Sequence, residues 1–397
     1  MKVVVVGYGS RGDVEPCAAV GRELLRRGHD VRMAVPPNMV GFVESAGVAA
    51  VPYGPDSREA MNPAMDFVRD LPAKMQNPAR MLTEVIERVS RVKQEKSSTL
   101  KEVANGADLL LASFNEQGVA ANVAEYYDIP MAALHYFPTR IWASGPVALG
   151  ITQDTDDAQR RALGLPGAGA TLSSLEIQAY DELCLPGPAA EWVEPDGSQC
   201  FRPFVGALTL ELPTDADGEV LSWIAAGTPP IYFGFGSTPI VSPAETVAVI
   251  SAACARLGER ALICSGADDF TDVPIFDHVK VVGEVNHAAI FPACRAVVHH
   301  GGAGATAAGM RAGIPSLILW FWLDQPMWAD GVTRLKTGSG RQFHASTLDS
   351  LVADLRCILA PEYATRAREV AAKMTKSAES IIAVADLLEE TARLHVL

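Results

Sequence analysis

Val3-Val4-Val5-Val6-Gly7-Tyr8-Gly9-Ser10-Arg11-Gly12-Asp13-Val14, residues 3–14, is the stretch on which the reading of the fold turns. Four β-branched residues make a buried strand, glycines turn the chain, and an apolar-periodic run over 14–27, stopped by Gly28, follows as a helix. The same alternation repeats outward from there. Strands are expected at 31–35, 49–53, 108–112 and 131–135, and helices at 41–46, about 79–103 and 116–127. β-branched runs alternating with helical patterns predict βαβ units and parallel sheets, an α/β fold.

The alternation breaks between Pro138 and about Pro203, a stretch rich in Gly, Pro and Ala. Pro186-Gly187-Pro188 and Glu194-Pro195-Asp196-Gly197 place a linker in its second part. A second series then begins, with strands at 230–235, 261–265, 279–282, 296–299 and 316–319 and helices at 244–257 and 304–312. Helices near 347–359, 362–376 and 378–394 finish the chain. At 397 residues the chain exceeds the size at which one core stops growing. Two Rossmann-like domains facing a cleft are expected, over 1–195 and 205–378.

A net charge of -14 argues against a nucleic-acid partner, because a phosphate-backbone binder needs a basic footprint to release counterions. The most basic segment, Arg88 to Lys101, reads as the solvated face of a helix, with a membrane-surface or partner contact as the alternative. The seven cysteines are scattered, without a C-x-x-C pair, and read as reduced core residues. The first apolar run is too short for a signal peptide, and no stretch approaches ~20 apolar residues. These features predict a cytoplasmic protein with at most a peripheral membrane contact.

Gly7-Tyr8-Gly9-Ser10-Arg11-Gly12 fits G-x-G-x-x-G, but the dinucleotide fingerprint also needs an acid ending the second strand. That strand ends Ala34-Val35-Pro36-Pro37, and Asp30 lies at its other end, so NAD and FAD are not expected. The loop keeps a close backbone approach and a helix N-terminus for some other ligand. Asp13, in the first helical turn, is either a helix cap or a chemically active carboxylate.

In the second half, Gly234-Phe235-Gly236-Ser237 and His299-His300-Gly301-Gly302-Ala303-Gly304 each follow a strand directly. Small residues there let N–H groups close on an anion at a helix N-terminus, a cradle for a diphosphate without the lysine of a P-loop. A histidine beside it can donate to a phosphate or protonate as the leaving group gains charge, the alternative being a satisfied core histidine. The pair does not suit a metal, because adjacent residues at a strand end point to opposite sides. Trp320-Phe321-Trp322-Leu323-Asp324-Gln325-Pro326 puts a carboxylate and an amide among aromatics, which suits vicinal sugar hydroxyls and C–H faces. A capped loop with core aromatics is the competing reading.

Gly-Ser-Arg-Gly-Asp-Val-Glu-Pro (9–16), Phe-Gly-Phe-Gly-Ser (233–237), His-His-Gly-Gly-Ala-Gly (299–304), Arg-Ala-Gly-Ile-Pro (311–315) and Asp-Gln-Pro (324–326) together resemble the family 1 glycosyltransferases of GT-B fold. Within them, the chain resembles the branch of the glycopeptide-antibiotic, mycobacterial glycolipid and sterol glycosyltransferases. The resemblance covers nearly the whole chain. It implies an inverting, metal-independent transfer of a hexose or deoxyhexose from a UDP- or dTDP-sugar to a hydroxyl of a lipophilic small molecule, lipid or peptide natural product. Asp13 then matches the general base, with Ser10 a secondary candidate. Ser237, His299, His300, Gly301, Gly302, Ala303 and Gly304 hold the diphosphate, Val285-Asn286-His287 lies near the base, and Asp324 and Gln325 bind the sugar. The final helix, about 379–397, crosses back to the first domain.

Tyr8, Phe137 and Trp142 are candidates to line an apolar acceptor pocket, the alternative for each being the core. Ala305 stands where the family usually has Thr, and Thr306 is the candidate to replace that hydroxyl. The segment after Phe137 is short for the family. Asp215-Ala216-Asp217 matches a metal-binding D-x-D, but its place before a helical run reads as a cap. No metal and no cofactor beyond the nucleotide-sugar co-substrate are expected. The competing readings are a nucleotide-sugar epimerase or hydrolase of the same fold and a catalytically silent nucleotide-sugar-binding protein.

Overall fold

The computed structural model describes residues 1–59, 78–138, 146–167, 174–185, 200–238, 240, 242–266, 270 and 272–396. Within them lie two six-stranded, wholly parallel sheets. The first contains β1 (Lys2–Val6), β2 (Asp30–Val35), β3 (Ala49–Pro52), β4 (Leu109–Ser113), β5 (Met131–His135) and β6 (Leu175–Gln178), in the order β3-β2-β1-β4-β5-β6. The second contains β7 (Ile231–Gly234), β8 (Ala261–Cys264), β9 (Val279–Val282), β10 (Ala296–His299), β11 (Ser316–Trp320) and β12 (Gly338–Gln342), in the order β12-β11-β10-β7-β8-β9.

Both orders reverse direction once, between β1 and β4 in one sheet and between β7 and β10 in the other. Loops leaving the carboxyl ends of strands diverge at such a switch point and leave a crevice there. The Gly7–Ser10 loop follows β1 and leads into the first helix, and the loops opened by Phe235 and His300 follow β7 and β10. The run of valines explains why β1 is central. Val3 to Val6 are fully buried, since helices cover both faces of a parallel sheet.

The chain divides into two compact units, one of Met1–Ala179, Pro188–Leu208 and Ser377–Leu397 and the other of Tyr180–Gly187 and Thr209–Lys376. The boundary differs from the one expected, because the segment after β6 belongs to the second unit. There Arg334 donates to the carbonyls of Leu183 and Cys184 at 2.9 and 2.8 Å, and the Tyr180 ring packs edge-on to Trp328. In the first unit the last helix, Ser377–Val396, is tied to the first helix, Arg11–Arg26, and the turn after it. Arg27 pairs with Asp386 and Glu389, and His29 with Glu389.

Several elements among the described residues were not anticipated. The helix Pro146–Leu163 and β6 fall in the stretch of weak periodicity, and the helix Gln325–Arg334 falls beside the Asp324 motif. Edge strand β12 reads Gly-Ser-Gly-Arg-Gln, with no strand composition. Its glycines are needed for contact, because a Cβ at Gly338 would stand 2.0 Å from the Ser316 carbonyl oxygen and one at Gly340 2.5 Å from Ala329 Cβ. The linker motifs at 186–188 and 194–197 lie outside the described residues.

The basic face of the helix Pro78–Val103 is solvated only in part: Arg91 is exposed, as expected, but other members turn inward. Lys93 pairs with Asp156, and Lys96 is buried, its Nζ 2.8 Å from Glu116 Oε1 and 3.3 Å above the Tyr8 ring. Tyr53 donates to the other Glu116 oxygen at 2.6 Å. No helix among the described residues is long and apolar enough to cross a membrane.

Candidate active site

In the first unit the loop after β1 is held by its backbone. Gly7 N donates to Ala34 O at 3.1 Å, and Asn115 Nδ2 donates to Tyr8 O at 2.9 Å. Gly9 has φ +137°, and a Cβ there would lie 2.3 Å from Asp13 Oδ2, so only glycine lets the carboxylate fold back over the loop. Ser10 caps the first helix, and its N–H and hydroxyl both donate to Asp13 Oδ2, at 2.7 and 3.0 Å. Asp13 is therefore a capping residue whose carboxylate is pinned in one orientation. Ser10 serves as the group that orients it.

Tyr8 and Phe137 are both half-buried. Tyr8 donates to Pro55 O at 3.0 Å, and Phe137 packs edge-on to Phe114 with ring centroids 5.0 Å apart. Trp142 lies outside the described residues.

In the second unit the loops after β7 and β10 interlock. A Cβ at Gly236 or at Gly302 would stand 2.6 Å from the His300 ring, which fills the space those glycines leave. Gly301, at φ +95°, turns the chain into the helix Ala303–Arg311, and Gly302 is its N-cap. The first N–H groups of this helix, those of Ala303, Gly304 and Ala305, have no carbonyl one turn back and point toward any anion bound there. Ser237, at the tip of the facing loop, is exposed.

His299, at the end of β10, is buried. Its Nδ1 accepts from Gly301 N at 3.0 Å, which places the ring proton on Nε2. That Nε2 is buried and meets no hydrogen-bond partner among the described residues. Burial first, then the neighbouring His300 and His287, lowers the His299 pKa from 6.5 to about 3. Burial likewise lowers His300 to about 4. Both rings are therefore neutral at neutral pH, and His299 Nε2 is a hydrogen-bond donor. A buried donor without a partner is costly unless a ligand oxygen meets it.

Gln325 is buried, and its Oε1 accepts from the N–H groups of Phe321 and Trp322 at 2.8 and 3.2 Å. Its Nε2 is thus the end that can donate to a ligand. Asp324 Oδ2 accepts from Trp328 Nε1 at 2.8 Å, while burial raises the carboxyl pKa against that bond. Trp328 was not singled out beforehand, since a tryptophan one helical turn on reads as core. Leu323 sits at φ +54° with its side chain exposed, a strained backbone beside the motif.

One expected donor contact needs correction. Thr306 is buried, and its hydroxyl donates to Gly302 O at 2.9 Å within the helix, so it does not replace the hydroxyl missing at Ala305. Val285 is buried in the apolar cluster with Tyr232, Leu262 and Phe291, which leaves only its backbone for a base. The adjacent His287 stacks on Phe291, centroids 4.4 Å apart, and meets Tyr232 Oη at 3.1 Å. Asp217 of the D-x-D, the first residue of the helix Asp217–Ala225, accepts from Thr214 N, Thr214 Oγ1 and Asn286 N at 2.8, 2.8 and 2.9 Å, bonds that tie it to the preceding turn and to the loop at 286.

Comparison with known proteins accords with this layout. Residues 3–141 match the family described as glycosyltransferase family 28 N-terminal domain, and residues 253–390 match erythromycin biosynthesis protein CIII-like, C-terminal domain. An uncharacterized glycosyltransferase of Mycobacterium tuberculosis is 57% identical over 99% of both chains. The vancomycin aglycone glucosyltransferase of Amycolatopsis orientalis is 29% identical over 96% of both. Among solved structures, the spinosyn rhamnosyltransferase SpnG complexed with spinosyn aglycone superposes with a TM-score of 0.71, at 19% identity, over 98% of this chain and 100% of that one. The glycosyltransferase VinC in complex with dTDP superposes with a TM-score of 0.66, at 19% identity, over 99% and 100%. Sequence kinship along the whole chain and the two parallel sheets agree: the chain belongs to the glycosyltransferases, with the GT-B fold.

Proposed function

We propose that this glycosyltransferase is inverting and metal-independent, and that it moves a hexose or deoxyhexose from a UDP- or dTDP-sugar to a hydroxyl of a lipophilic acceptor. The reading is carried by His299 Nε2, a buried neutral donor with no hydrogen-bond partner among the described residues, beside a helix N-terminus. A diphosphate supplies the oxygens such a donor and the N–H groups of Ala303, Gly304 and Ala305 require. As the bond between the anomeric carbon and the diphosphate breaks, charge develops on the leaving oxygen, and preorganised donors stabilise it. Ala305 brings no hydroxyl, so the cradle relies on backbone N–H groups, His299 and Ser237. Gln325 Nε2 donates to a sugar hydroxyl and Asp324 accepts from one.

Asp13 takes the proton of the acceptor hydroxyl as that oxygen attacks the anomeric carbon on the face opposite the diphosphate, which inverts the configuration. Tyr8 and Phe137 offer apolar rings to the acceptor. That the vancomycin relative is named for an aglycone and SpnG is complexed with one supports a lipophilic acceptor. The complex of VinC with dTDP favours a dTDP-sugar alongside UDP-glucose as the donors to try.

The test is mass-spectrometric transfer from UDP-glucose and dTDP-rhamnose to hydrophobic alcohols, phenols and glycolipids, with Asp13→Ala in the same run. The expected result is product from the wild type, of inverted configuration by NMR, and a loss of about 10²–10⁴-fold in the mutant with donor binding retained. Donor turnover without any acceptor points instead to a hydrolase or epimerase. Donor binding with no transfer points to a silent binding protein.

A further inference from the structure

We propose that Tyr136 is a positioning residue for transfer: its hydroxyl fixes the first turn of the helix Arg11–Arg26 and so holds Asp13 where it takes the acceptor proton. The inference rests on the reading of Asp13 as the base. Tyr136 follows the last residue of β5, and its ring is buried edge-on to Phe114, centroids 5.9 Å apart. From there its hydroxyl reaches across 123 positions of sequence to donate to the Asp13 carbonyl at 2.7 Å. With that proton used, the Cys17 thiol, 3.3 Å away on the next turn, is the donor to Tyr136 Oη. Burial keeps both groups protonated, the thiol pushed up to about 12 and the phenol well above its ordinary value.

The carbonyl of Asp13 already accepts from the helix, so the turn does not need a second donor for its own satisfaction. What the extra bond adds is a fixed position. Asp13 is held at its carboxylate by Ser10 and at its main chain by Tyr136, and the two restraints come from different elements. Residue 137, the next in the chain, is one of those proposed to touch the acceptor. A base must sit within hydrogen-bond reach of the proton it abstracts, and a displacement of about 1 Å can cost on the order of 10²-fold in rate.

The test uses acceptors that depend on the base to different degrees. 4-Nitrophenol is largely ionised above neutral pH and needs little help, whereas a fatty alcohol must lose its proton during attack. In the full-length chain, Tyr136→Phe is expected to lower kcat for the fatty alcohol at least about 10-fold and for 4-nitrophenol less than about 2-fold, with the donor KM unchanged. Substitution of 3-fluorotyrosine at position 136, which keeps a donor, restores alcohol transfer; thermal melting checks that each variant folds. Equal losses with both acceptors, or no loss with either, overturn the inference. Asp13→Asn separates the two claims. If it spares alcohol transfer, the base assignment fails; if it abolishes alcohol transfer while Tyr136→Phe spares it, Tyr136 has no positioning role.

Discussion

At Asp13 a helix cap and the proposed base share one carboxylate, and the loop that precedes it makes both compatible. The capping bonds run to Oδ2 from a single residue, Ser10, and glycine at position 9 leaves room for that arrangement. His299 presents the opposite case, a buried ring whose Nε2–H meets no hydrogen-bond partner among the described residues. Its pKa carries a consequence for stability. The folded value, about 3, lies below the ordinary 6.5, so below pH 6.5 the unfolded chain binds protons that the folded one refuses. The stabilising contribution is complete above pH 6.5 and is lost as pH falls toward 3. His300, at about 4, adds a second contribution of the same sign. Urea unfolding is expected to lose up to about 1.4 kcal/mol per pH unit per histidine inside this window, with the loss reduced in His299→Gln. The kcat profile, in turn, is expected to show no limb from His299 between about pH 5 and 8.

Among the elements, the helix Pro78–Val103 departs furthest from its sequence pattern. A run of basic residues ordinarily marks a solvated face, yet Lys96 is turned inward to Glu116, under the rings of Tyr8 and Tyr53. Burial lowers the Lys96 pKa while Glu116 raises it, the balance of a desolvated ion pair. Removing one partner from such a pair leaves the other charge buried. Lys96→Met is therefore expected to destabilise the first unit by about 3–5 kcal/mol in urea titrations, and the double variant with Glu116→Gln is expected to recover most of that loss. The same balance runs the other way at Asp217, where desolvation raises the carboxyl pKa but bonds from Thr214 and Asn286 outweigh it and leave the group lowered.

For the whole molecule, both units carry the glycine-rich loops proposed to bind ligands at the same place in their topology, the point where strand order reverses. Binding to one unit alone stabilises the chain by mass action. Saturating UDP or dTDP, at about 100 times its Kd, is expected to add roughly 2.7 kcal/mol to the stability of the second unit, read as a rise in Tm. That rise is expected to shrink in His299→Ala and to persist in chelator, as is transfer itself. A loss of either with EDTA counts against metal-independence.

The features legible in the chain alone are those written in local patterns: buried β-branched strands, glycine turns leading into helices, and the motif order that identifies the family. These depend on residues within a few positions of one another, which is why β1, its loop and the sheet class were legible. Only the tertiary structure decided the state of individual groups. Lys96 is inside because Glu116 and two tyrosines meet it, Thr306 is spent on its own helix, and Val285 faces the core. His299 stays neutral because neighbours distant in sequence bury it, and Asp13 is braced by a tyrosine 123 residues away. Strand β12 exists because its sheet neighbour needs glycines to approach it, a steric demand that no propensity in Gly338–Gln342 expresses.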